Sequence, residues 1–142
     1  MTRHELREQT FKMLFGMEFY KDEEDREASL FNYLNETCEY ELTEEEKDLI
    51  KGRVMDIAMR TPELDRALNG AAEGWSTRRM GRAELSILRL ALYEIRIDDE
   101  VPVGVAINEA VELAKEYCGD EAPAFINGVL ARLVRDDEKA EA

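Results

Sequence analysis

Between Arg82 and Ile97 the chain reads RAELSILRLALYEIRI. Leu85, Leu88, Leu92 and Ile95 recur at steps of three and four residues, and Ile87, Leu90, Ala91 and Ile97 fall between them. Such spacing is helical, and a helix apolar on nearly every side is stable only when other elements cover it. The rest of the chain must therefore pack around this segment. Its charged interruptions, Arg89 and Glu94, need partners or a solvent-facing flank, because an unpaired buried charge is costly. They are expected to form an internal electrostatic tie.

The flanking sequence is helical throughout. From Arg3 to Tyr20, Leu6, Thr10, Met13, Leu14 and Met17 trace an apolar stripe that runs on into Phe19 and Tyr20, with Phe11 and Phe15 beside it. A second helix repeats Leu30, Phe31, Tyr33 and Leu34 after the charged run KDEEDRE. Thr43 and Glu46 have the spacing of a capping box, predicting a third helix whose apolar side holds Leu49, Ile50, Val54, Ile57 and Ala58. Thr61-Pro62 is expected to end it and start a fourth with Leu64 and Leu68. After Trp75 and a short turn at Ser76 comes the central helix, then one from Val105 to Tyr117 with Val105, Ile107, Ala110, Val111 and Ala114 inward and Gly119 as a left-handed cap. Pro123 opens the last helix, with Phe125, Ile126, Val129, Leu130 and Leu133, and Gly128 within it predicts close approach of another helix. No stretch alternates as a strand does, so the expected fold is all-α, about seven helices joined by short connections that favour antiparallel packing.

Composition excludes more than it selects. Nineteen basic residues against 33 acidic give a net charge of −14, which repels polyanions at long range and attracts basic proteins. The single histidine, His4, leaves histidine-rich metal sites and Ser-His-Asp triads poorly supplied, and no cofactor or metal is expected. Cys38 and Cys118 lie far apart and read as unpaired thiols of a reducing compartment. No apolar run reaches the roughly 18 residues of a membrane span, and the N-terminus lacks a secretion signal's apolar core, so a soluble cytoplasmic protein is expected.

Three blocks go beyond composition: ILRLALYEI from Ile87, VPVGVAINEAVELAKEY from Val101 and FINGVLARL from Phe125. Their order and separation resemble the NusB family of bacterial transcription antitermination factors. REQTFKMLFGMEF, from Arg7, and GWSTRRMGRAE, from Gly74, resemble that family's first helix and the lead into its fifth. The resemblance implies two packed antiparallel helical bundles in one domain, here divided as residues 1–74 and 75–135 with an acidic, frayed tail over 136–142. It also implies a scaffold without catalytic activity, which pairs with a small-subunit ribosomal protein (NusE), binds boxA RNA of nascent ribosomal RNA and acts in an RNA polymerase antitermination complex.

For individual residues the resemblance implies RNA contacts at Arg3, His4, Arg7 and Lys12; the family carries an arginine-rich run ahead of its first helix, matching Arg3 to Arg7 here. Here that run is interrupted by Glu5 and Leu6, so the chain alone is expected to bind RNA weakly. Phe125 matches a family position on the RNA face and also reads as core. Glu121 matches an acidic position that tunes RNA affinity, and Glu84 matches a position facing the ribosomal protein, while also reading as a solvated helix start. The INEA and NGVL segments read as structural, holding the C-terminal helices together. Two alternatives stay open: a protein-binding scaffold that has lost RNA recognition, and an RNA-binding module related to those of RNA cytosine methyltransferases.

Overall fold

A computed structural model describes residues 1–38, 40–72 and 76–141; Trp75 lies outside them. Among the described residues six α-helices carry the fold: α1 (Arg3–Met17), α2 (Glu23–Asn32), α3 (Glu44–Ala71), α4 (Arg82–Arg96), α5 (Val103–Tyr117) and α6 (Ala122–Glu141). A π-helical turn, Tyr33–Thr37, follows α2, and there is no strand among the described residues. The chain divides into two compact units, Met1–Met59 and Arg60–Ala142, with the division inside α3.

In the first unit α1 packs against α2. Thr2 caps α1, its hydroxyl accepting from the Glu5 amide at 3.1 Å. Phe11, Met13 and Leu14 are buried as their spacing predicts, but Phe19 is 62% exposed and Tyr20 is exposed as well. α1 ends at Met17, so the pair lies past the turn that would have carried it inward. Phe19 instead extends a ladder of tilted rings, 5.2 Å from Phe15, which is 6.1 Å from Phe11. Beside this ladder Gln9 is fully buried, its carbonyl oxygen accepting from the Tyr33 hydroxyl and, at 3.5 Å, from the Cys38 thiol.

The capping box forms as its spacing predicts. The Glu46 amide donates to Thr43 Oγ1 at 3.1 Å, and the Thr43 amide donates to Glu46 Oε1 at 3.0 Å. Glu46 also meets the N-terminal ammonium at 3.2 Å. The Thr43 backbone bond first, then the ammonium, hold the Glu46 carboxyl below its ordinary value. A depressed carboxyl stabilises the fold above its unfolded value, and that contribution is lost as pH falls through the folded one. Thr43→Ala should cost about 1 kcal/mol in urea unfolding at neutral pH. A loss under a few tenths would show that the cap contributes nothing.

Pro62 does not end a helix: α3 runs unbroken through it. The buried residues Ile50, Val54, Ile57, Leu64, Leu68 and Ala71 form one row at helical spacing across the proline, which lies on the exposed side. Proline inside a helix costs about 3 kcal/mol against alanine, whereas each fully buried Leu or Ile recovers about 1.5–3 kcal/mol. The continuous row wins. Leu49, one residue off that row, is 52% exposed rather than core.

In the second unit α4, α5 and α6 pack against one another, α5 lying against both of the others, and α4 carries the longest run of buried residues. Nine consecutive or near-consecutive residues from Leu85 to Glu94 are buried, Arg89 alone among them reaching partly outward. The sequence-expected tie at Arg89 exists, and its partner is Asp65 on α3: Nε and Nη2 donate to the two carboxylate oxygens at 2.8 and 2.7 Å. Arg96 at the end of α4 makes a second forked pair, with Asp137 at 3.2 and 2.8 Å. That pair lies in the acidic segment 136–142, and α6 continues to Glu141.

Three further expectations change. Val105 is 45% exposed and Ala106 takes its place in the buried row with Ala110, Leu113 and Ala114, a rotation of about 100° per residue about the helix. α5 ends at Tyr117 with Cys118 extended (φ −122°, ψ 175°), and Gly119 has no left-handed φ. Gly128 is exposed, with no atom within 4 Å of where a Cβ would stand, so it marks no close helix approach. The buried row of α6 is Ile126, Val129, Leu130 and Leu133, which turns Asn127 and Gly128 outward.

Candidate nucleic-acid and partner interface

The sequence-derived site residues fall on two surfaces, one in each unit. On α1, Arg3 and His4 are exposed and Arg7 is half-buried. Four residues apart, Arg3 and Arg7 share a face; Lys12 lies roughly half a turn away from Arg3. Lys12 is half-buried and faces Glu8 Oε1 at 4.0 Å, so it belongs to another row whose charge is already opposed. With Glu5 in the first turn, α1 presents a short cationic face rather than a basic helix.

The second surface is one end of the α4–α5–α6 unit. α4 and α5 are joined by a short turn, as are α5 and α6, so the start of α4, the end of α5 and the start of α6 come together. Glu84 sits in the first turn of α4, half-buried, its carboxylate folded back over Gly81 where a Cβ on that residue would stand. Cys118 reports the same proximity: burial first, then the charge of Glu84, push its thiol up to about 11. A thiol so raised is protonated at neutral pH and a poor nucleophile.

Glu121 is exposed immediately before α6, where a carboxylate is favoured by the helix dipole, and Phe125 is half-buried in the first turn. Glu84, Glu121 and Phe125 thus share this end, whereas Arg3, His4, Arg7 and Lys12 belong to the other unit. Asn108 and Asn127, read from the sequence as structural, are exposed, and only Glu109 of the INEA–NGVL polar residues is half-buried. Periodicity would have found this, since both asparagines fall off the buried rows of α5 and α6. Sequence reasoning also passed over Arg78, Arg79 and Arg82, all exposed where the chain enters α4.

The NusB family model matches residues 4–135. A transcription antitermination protein NusB from Lachnoclostridium phytofermentans is 46% identical over 134 residues, covering 94% of this chain and 99% of its own length. One from Agathobacter rectalis is 45% identical over 132 residues, covering 93% and 98%. Among solved structures, T. maritima NusB superposes with a TM-score of 0.85 at 32% identity, over 100% of this chain and 99% of that one. NusB in a complex with NusE and dsRNA shares the fold, with a TM-score of 0.80 at 21% identity over 96% and 99% of the two chains. On a match that runs from the start of α1 into α6, the chain belongs to the NusB family.

Proposed function

We propose that this chain is a cytoplasmic transcription antitermination factor. It pairs with a small-subunit ribosomal protein of the NusE type, binds boxA RNA of nascent ribosomal RNA within an RNA polymerase complex, and catalyses no reaction. The observation that carries this reading is the near full-length match to relatives named transcription antitermination proteins. That one solved relative is a NusB–NusE complex with dsRNA supports the choice of partners.

The charge distribution supports a division of labour between those partners. A net charge of −14 favours encounter with a basic protein and disfavours approach of RNA. No helix among the described residues is long and apolar enough to cross a membrane. In this reading Glu84 pairs with a cationic group of the ribosomal protein, and Arg3, His4 and Arg7 with Phe125 contact RNA. Lys12 contributes less because it faces Glu8, and Glu121 weakens phosphate approach near Phe125. Stopped-flow association with a NusE-type protein tests the pairing: the association rate should fall steeply with added salt while dissociation changes little. Absence of association at any ionic strength would sink the reading.

A further inference from the structure

Among the 19 Lys and Arg residues, only Arg78, Arg79 and Arg82 place three within five positions. All three side chains are exposed. The turn that carries the first two is fixed at several points: the Thr77 amide donates to Asn69 Oδ1 at 2.7 Å, the Arg79 amide donates to the Ser76 carbonyl at 2.9 Å, and Met80 is buried. Arg82 follows as the first residue of α4, after Gly81. A turn so held has its backbone already ordered when a ligand arrives, leaving only the arginine side chains to be fixed.

Within an acidic whole this stretch is locally cationic in sequence. From Ser76 to Glu84 three cations stand against one carboxylate, that of Glu84, which is folded back over Gly81, while Glu121 is exposed at the same end of the unit. Charges farther away than about 8 Å are largely screened at physiological salt, so the local cluster governs contact even where the total charge governs approach. Guanidinium groups bind phosphate oxygens in forked pairs, and Phe125 at the same end of the unit offers a ring for base stacking.

We propose that Arg78, Arg79 and Arg82 form a phosphate-binding patch for single-stranded RNA, supplying the backbone grip that α1 offers only through Arg3 and Arg7. This rests on the RNA-binding reading above, but it assigns the contact to a different element. Phosphate contacts contribute a salt-dependent, sequence-independent share of affinity, while base contacts at Phe125 would carry selectivity.

The test uses the full chain with its NusE-type partner and a single-stranded boxA RNA, titrated across a salt series. Replacing the three arginines together, as Arg78→Gln, Arg79→Gln and Arg82→Gln, should reduce the slope of log affinity against log salt by about 2 and weaken RNA binding roughly 50-fold near 0.15 M salt. The three lysine replacements should restore the slope, since each keeps the charge. Urea unfolding of the glutamine variant should match the wild type, which separates loss of an RNA contact from damage to the fold. An unchanged RNA affinity and slope in the glutamine variant, with the wild type binding RNA, would overturn the patch and leave the antitermination reading standing. Failure of wild-type chain and partner to bind RNA at any salt would overturn both. Binding of an acidic polypeptide through these arginines, with RNA binding unaffected, would reassign the patch to a protein and also overturn the proposal.

Discussion

Replacing Leu92 with alanine is expected to remove about 3 kcal/mol of stability, the middle of the range for truncating a fully buried leucine. Leu92 has no exposed surface and lies on α4 between the buried Ala91 and Tyr93, so its loss leaves a cavity walled by a helix that cannot turn away. Leu49→Ala on α3 is the matched control, because Leu49 is half-exposed and its truncation should change stability by no more than about 0.5 kcal/mol. Urea unfolding followed by circular dichroism reads both. A loss below about 1 kcal/mol at Leu92 would contradict the burial of α4.

Arg89→Ala is expected to cost about 2 kcal/mol. Removing one member of a fully buried ion pair costs about 3–5 kcal/mol, most of it from the charge left behind. Here Arg89 is 12% and Asp65 22% exposed, so water reaches the stranded carboxylate and the figure is reduced. Arg89→Lys should recover less than half, since an ammonium keeps the charge but cannot fork across both oxygens of Asp65. The same unfolding measurement applies. Equal stability of the alanine and wild-type chains would show that the pair is an incidental surface contact.

The parts of this fold legible in the sequence are those where burial and periodicity coincide. α4 was legible because its apolar residues leave almost no side free, and the start of α3 because Thr43 and Glu46 have one favourable arrangement at their spacing. Pro62 misleads because a local rule about one backbone amide competes with a row of buried side chains reaching from Ile50 to Ala71, and that row weighs more. Val105 and Leu49 mislead because an apolar residue one position off a buried row turns outward by about 100°. Gly128 misleads because a helix-destabilising residue suggests a packing reason, and here open space surrounds it.

The candidate site was less legible for a related reason. Resemblance pointed to positions on α1, α4 and α6, but not to which of them share a surface. Glu84 and Phe125 are 41 positions apart and meet at one end of a unit only because two short connections reverse the chain between them. Arg78, Arg79 and Arg82 were visible as a local density of cations, yet a net charge of −14 drew attention to the acidic whole. Screening makes the local density the relevant quantity at contact distance.

RNA titration of the chain alone and with its basic partner, at about 0.15 M salt, tests the proposed division of labour most directly. Weak, salt-sensitive binding by the isolated chain is expected, with boxA-selective capture appearing once the NusE-type protein is added. Tight boxA-selective capture by the chain alone, or no ternary complex with the partner present, would contradict it.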